Sequence, residues 1–270
     1  MLRKIATYLF CALTIALFSL YLAYGYRLVE KRRGEELCTS IKVTVADSSV
    51  NRFISKEEIV KLIKKSEYNP LKRVRKEIPL ADIERLLMTK SAIKSSNVSI
   101  ANDGVLRARV TQRRPILRIQ GENSGFYIDN EGYIFPLVAS YTSYVPIVTG
   151  HIPIEFNNNT RNTLGGAHDQ WVKKIVTLGE YIDHDRLWNS MIQQIEIDKD
   201  GTVTLYTVLG DQKIIFGKIK GIEEIDYKFA KLNTFYQEIA PTEGWDFYSE
   251  INLSYSDQIV CKKRAIKKKS

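Results

Sequence analysis

The sequence predicts an α+β protein with one N-terminal transmembrane helix, a small β-α-α-β-β module, and a β-rich domain with flanking helices. Three observations carry that prediction. Residues 5–26 contain no charge. Residues 40–112 switch between alternating and 3.6-residue apolar periods in the order strand, helix, helix, strand, strand. From residue 113 to 261 short alternating runs are separated by turn residues.

The run Ile5–Tyr26 has only small hydroxyls, one thiol and tyrosines as polar members. At ~1.5 Å per residue it forms a helix about 33 Å long, enough to cross a hydrocarbon core of about 30 Å. Tyr21, Tyr24 and Tyr26 gather at its far end, where amphipathic rings favour the interface. A cleaved signal peptide would need a shorter apolar part and a small-x-small site, of which Ala23-Tyr24-Gly25 is a poor version. The expectation is an uncleaved anchor at 5–26, a stub at 1–4 and a linker at 27–39. Arg3 and Lys4 precede the helix, whereas Arg27, Lys31, Arg32 and Arg33 follow it. Counted alone, these charges put the C-terminal side in the cytoplasm, but that rule weakens before a long translocated domain.

A hydrophobic fraction of 44% and a charged fraction of 26% are those of a globular chain. Lys262, Lys263, Arg264, Lys267, Lys268 and Lys269 supply six of the nine excess positive charges, so the body is near +3 (9 − 6). A basic tail over 262–270 reads as a solvated terminus, with acidic lipid or nucleic acid as the sharper alternative. Cys11, Cys38 and Cys261 are too few and too scattered for a disulfide scaffold; a Cys38–Cys261 bridge is open, free thiols are the simpler expectation.

Ser40–Val45 alternates as a first strand. Ser55 opens a capping box with Glu58, and Ile59, Leu62 and Ile63 form the apolar stripe of a helix. Pro79 opens a second helix with Leu80, Ile83, Leu86 and Leu87 on one face. Val98–Ile100, the turn Asn102-Asp103-Gly104 and Val105–Thr111 make a hairpin. In its second strand Leu106, Ala108 and Val110 face one way and Arg107 and Arg109 the other. Together with Arg113 and Arg114 these arginines read as a solvated face or edge, or as a partner surface.

Beyond Pro115, strands are expected at Ile116–Ile119, Phe126–Ile128, Tyr133–Phe135, Ile192–Ile197, Val203–Val208 and Lys213–Phe216. Asp129 is expected to cap the N–H groups of its own turn. Val145–Gly150 reads as an edge element, because Pro146 cannot donate to a ladder. Helices are expected over 169–183 and 222–239, and a closing hairpin at Ile251–Tyr255 and Gln258–Cys261.

Catalytic chemistry finds little support. His151, His168 and His184 lack a partner at i+4, no cysteine pair has zinc-ligand spacing, and no nucleophile elbow, phosphate loop or dinucleotide fingerprint occurs. Gly165-Gly166-Ala167-His168-Asp169 alone has a catalytic flavour, and a capped loop is the favoured reading of it. No cofactor or metal is expected, and a binding or scaffold role is favoured over an enzyme.

Four motifs in order resemble the bacterial cell-division family FtsQ/DivIB. Arg113-Arg114-Pro115-Ile116-Leu117 resembles its arginine-proline-aliphatic domain junction. Tyr127-Ile128-Asp129-x-x-Gly132-x-Ile134-Phe135 resembles its aliphatic-Asp-x-x-Gly hairpin, Val145-Pro146-x-x-x-Gly150 the proline-to-glycine step that follows, and Ile251-Asn252-Leu253-Ser254-Tyr255 its closing strand. The resemblance implies a POTRA-like docking domain at 40–112 and an FtsQ-type β domain at 113–261. It implies no enzymatic activity, a soluble part outside the cytoplasm at the septum, and partners of the FtsB and FtsL type, single-pass division proteins.

By the same resemblance the partner contact falls on Ser254, Tyr255, Ser256, Gln258, Ile259 and Val260, with Tyr255 as the hot spot. The chemistry fits strand addition at an open sheet edge. Tyr255 packed against the helix at 222–239 is the plainer reading. The sequence departs from better-known members at Asp257-Gln258, where a Gly-containing turn is often found, and in the lysines that follow. Two rival classes stay open: a membrane-anchored POTRA protein assisting outer-membrane assembly or secretion, and a membrane-anchored hydrolase.

Overall fold

A computed structural model describes the backbone of residues 2–49, 51–122, 124–154 and 167–265, and most of their side chains. The chain divides into two compact units, residues 1–112 and 113–270.

The first unit begins with a long helix, α1 (Leu2–Glu35). Among the described residues no helix is long and apolar enough to cross a membrane. The side chains of residues 1–9, 11 and 28–35 lie outside the described set, so the expected span 5–26 is described only in part. After α1 come β1 (Ser40–Val45), α2 (Lys56–Lys65), α3 (Leu80–Met88), β2 (Ile93–Ile100) and β3 (Val105–Gln112). The three strands form one sheet in the order β1-β3-β2, with β1 parallel and β2 antiparallel to β3. The Ser55 hydroxyl accepts from Glu58 N–H at 3.1 Å while the Glu58 carboxylate accepts from Ser55 N–H at 2.8 Å, so the capping box forms. Ile59 and Ile63 of α2 and Ile83 and Leu87 of α3 are fully buried against Leu106, Ala108 and Val110. Arg107 and Arg109 face outward from β3. Buried Gln112 closes the module: its Oε1 accepts from Ile54 N–H at 2.9 Å and its amide donates to Asn51 O at 2.7 Å. β2 starts five residues before the expected Val98. A bulge between Ile93 and Ser95 breaks the alternation that would have announced it.

The second unit contains β4 (Pro115–Gln120), β5 (Gly125–Asp129), β6 (Ile134–Pro136), β7 (Ile147–Gly150), α4 (Ala167–His184), α5 (Arg186–Met191) and β8 (Ile192–Ile197). β9 (Val203–Thr207), β10 (Lys213–Gly217), α6 (Ile222–Thr234), α7 (Ala240–Glu243), β11 (Tyr248–Asn252) and β12 (Val260–Lys263) complete it. A single π-type turn, Phe235–Ile239, links α6 to α7. The strands make one nine-stranded sheet in the order β12-β11-β10-β9-β8-β7-β4-β5-β6. Buried side chains of β4, β8, β9 and β10 meet those of α4, α5 and α6 in one cluster. Phe229 is its hub: Tyr181 stacks on it at 4.7 Å, and Trp188 and Phe216 lie at 5.0 and 5.3 Å. A Cβ on Gly179 would come within 2.8 Å of Leu117, so α4 approaches β4 as closely as it does only because residue 179 is glycine.

Several expectations need correction here. β7 is central, hydrogen-bonded in parallel to both β4 and β8. Pro146 stands just before the strand, where its missing N–H costs nothing, and its carbonyl accepts from Arg118 N–H at 3.0 Å. Arg113, expected to be solvated, is 8% exposed. The expected closing strand to Tyr255 ends at Asn252, and Lys262 and Lys263, expected in the tail, belong to β12. Arg264 is also held: its guanidinium donates to Gly210 O at 2.7 Å and Asp211 O at 2.9 Å. Cys38 and Cys261 are both free thiols. Residues 165 and 166 and the side chains of His168 and Asp169 lie outside the described residues.

Candidate functional site

The region of Ser254–Val260 is built by a strand that stops early. The Asn252 carboxamide oxygen accepts from Ser254 N–H at 2.9 Å and also from the Ser254 hydroxyl. That local turn removes Ser254 from the ladder. Leu253 still donates its N–H to Ile215 O at 2.9 Å and is buried. The chain then runs as a loop from Ser254 to Ile259 and re-enters the sheet as β12, antiparallel to β11 with Val260 opposite Asn252.

Two side chains of α6 hold that loop. Lys231 Nζ donates to the carbonyls of Tyr255 at 2.7 Å, Ser256 at 3.2 Å and Gln258 at 3.1 Å. Tyr227, one helical turn earlier, donates its hydroxyl to Ser256 O at 2.5 Å. The Lys231 ammonium also lies 5.4 Å from the centroid of the Tyr227 ring. Burial lowers the Lys231 pKa, Asp257 opposes that shift and Lys228 adds to it. Each of the three donors of the ammonium thus meets a carbonyl, and the backbone of the loop is bound while its side chains remain outward.

The six expected contact residues therefore fall into three groups. Ser254, Tyr255, Ser256 and Gln258 are exposed in the loop, Tyr255 at 50%. Ile259 is half-buried and packs on the core. Val260 alone lies in the edge strand β12, and it is 44% exposed. Tyr255 is half exposed, and its carbonyl is held by Lys231. Tyr227 and Lys231 were missed because they lie off the apolar stripe of α6, though their i, i+4 spacing on one helix face was there to be read.

β12 ends the sheet and leaves one row of N–H and C=O groups unpaired by β11. Its side chains are mostly exposed, with Lys262 opposite Glu250 and Lys263 opposite Tyr248. Burial pushes the Cys261 thiol up.

At the expected junction, Arg113 Nη1 pairs with Asp129 Oδ2 at 2.6 Å and its guanidinium covers the Tyr133 ring at 3.4 Å. The other Asp129 oxygen accepts from Glu131 N–H at 3.0 Å and Tyr133 N–H at 2.8 Å, which is the turn cap expected of it. Arg114 pairs with Asp183 of α4 at 2.7 Å, and Pro115 is the first residue of β4. All these contacts lie within residues 113–270.

A POTRA-like domain model matches residues 36–111, and a model described as FtsQ/DivIB, C-terminal related, matches residues 114–262. No curated protein matches the chain. The second match spans more than half of the sequence and takes in β4 through most of β12, the whole sheet on which the loop and its edge strand are built; the chain belongs to the FtsQ/DivIB family.

Proposed function

We propose that this protein is a non-catalytic scaffold of the division machinery that captures single-pass division proteins of the FtsB and FtsL type at β12. The observation that carries the reading is the open edge of the nine-stranded sheet beside a loop whose backbone is bound and whose side chains are exposed. A partner strand adding to β12 gains main-chain hydrogen bonds, and Tyr255 and Val260 offer apolar area beside them. Ser254, Ser256 and Gln258 supply polar contacts at the rim, and Ile259 fixes the loop to the core. Arg113, Arg114 and Pro115 set the start of the β domain. The membership in a family of non-catalytic division proteins supports the absence of an enzymatic role.

The same reading anchors the chain in the inner membrane through residues 5–26, with the N-terminus cytoplasmic and the bulk outside at the septum. Phe10, Leu13, Ile15, Leu17, Phe18, Leu20 and Leu22 of α1 are all exposed, a row of apolar side chains that is unfavourable in water and favourable in lipid.

The test is a pull-down of the full chain with the soluble part of the same organism's FtsB–FtsL pair, beside Tyr255→Glu, with circular dichroism on both. Capture by wild type and loss in the variant is the expected result. Capture by both would remove the loop as the site, and no capture by a folded wild type would remove the partner.

A further inference from the structure

A second, unassigned edge exists in the first unit. β1 ends the three-stranded sheet, so one row of its backbone N–H and C=O groups faces away from β3. Beside that edge, β1 and α2 enclose a groove of about 490 Å³. Val43 and Val60 supply its apolar lining, while Lys56, Lys61, Lys64 and Lys65 stand around it against one carboxylate, Glu57. Among the described residues none of the four lysines pairs with a carboxylate.

The opposite face of the same edge is basic too. Along β1, Ser40, Lys42 and Thr44 point outward and Val43 and Val45 inward. The register sets Lys42 beside Arg107 and Thr44 beside Arg109, both exposed on β3; Arg107 already pairs with Asp103 at 2.8 Å, so Arg109 is the arginine left to meet an acid. A strand laid along β1 would therefore meet valines with every second side chain and, with the others, Lys42 and the Arg109 that stands beside Thr44. The α2 lysines border the valine side and raise the positive potential of the whole edge. Side chains alternate across a strand, so the matching sequence is itself alternating, apolar and acidic.

We propose that the β1 edge and the α2 groove form a docking site for an extended segment of another protein in which apolar residues alternate with Asp or Glu. The site recognises its occupant by main-chain hydrogen bonds to β1, by valine-lined space for the apolar positions, and by Lys42 and Arg109 on the outward face for the acids, with the α2 lysines bordering the valine side. It belongs to the first unit and rests on none of the observations made at β12.

A fluorescein-labelled seven-residue peptide of alternating glutamate and valine, titrated with the full chain and read by anisotropy, tests this. Saturable binding by wild type is expected, weakened at least tenfold by Lys42→Glu with Arg109→Glu, two exposed positions whose variant fold circular dichroism verifies. The same peptide N-methylated at alternate amides loses at least tenfold if β1 is the template, and a lysine–valine peptide does not bind. Failure of the wild type to bind, or equal binding by the charge-reversed variant, overturns the site. Equal binding of the N-methylated peptide overturns strand addition and leaves the groove to a different kind of occupant.

Discussion

Lys231 Nζ lies 2.7 Å from the carbonyl oxygen of Tyr255, and through that contact a helix formed 24 residues earlier fixes where the exposed ring begins. An apolar side chain in place of Lys231 would leave the Tyr255 and Gln258 carbonyls to water and the Ser256 carbonyl to Tyr227 alone, freeing the loop. Each charge-assisted hydrogen bond to a partly exposed backbone group contributes on the order of 1 kcal/mol. Lys231→Met is therefore expected to raise amide hydrogen exchange at residues 254–259 about fivefold or more. The thermal midpoint should move by only a few degrees, because the core under α6 is untouched. An unchanged exchange rate in the loop would show that Tyr227 and the Asn252 turn hold it alone.

The Arg113–Asp129 pair makes a stronger demand. Both side chains are buried, Asp129 spends one oxygen on the Glu131 and Tyr133 N–H groups and the other on Arg113, and the guanidinium stacks on Tyr133. Removing the arginine leaves a buried carboxylate without a counter-ion, which costs roughly 3–5 kcal/mol. Arg113→Met is expected to lower the denaturant midpoint of the β domain accordingly. Adding Asp129→Asn should restore part of the loss, because the carboxamide keeps its carbonyl oxygen for the turn and removes the orphaned charge. A double variant no more stable than Arg113→Met would mean the stacking on Tyr133 carries the stability.

Local features were legible in the sequence and non-local ones were not. The capping box at Ser55, the outward arginines of β3 and the Asp129 turn each depend on residues within four positions, so the chain spells them out. Pro146 suggested an edge because proline lacks a donor, yet whether β7 is central depends on β4 and β8, which no local pattern names. The run Ile251-x-Leu253-x-Tyr255 kept alternating past the true end of β11, since one Asn252 side chain stops the strand without disturbing the apolar period. The loop at Ser254–Ile259 was singled out by its likeness to a known family. Its support from Tyr227 and Lys231 carries no sequence period beyond their shared helix face, because it is side chain to backbone across two elements.

Alkaline pH should weaken the second unit through its held tyrosines, Tyr206 and Tyr181 together with buried Tyr236, whose phenol burial also pushes up. The hydrogen bond to the Glu196 carboxylate, helped by burial, pushes the Tyr206 phenol up to about 12. Burial, with the hydrogen bond to Asp226, does the same for Tyr181, also to about 12. In the unfolded chain both phenols ionise near pH 10. Between those values the folded state holds more protons than the unfolded one, so stability falls as pH rises. The contribution is whole below about pH 10 and is lost progressively toward pH 12. Denaturant melts taken from pH 9 to 11.5 are expected to show that decline. Tyr206→Phe, which cannot ionise, should flatten it in part, while ultraviolet titration of the folded wild type should show Tyr206, Tyr181 and Tyr236 lagging behind the exposed tyrosines. A melt series of equal slope in wild type and Tyr206→Phe would place the alkaline sensitivity elsewhere.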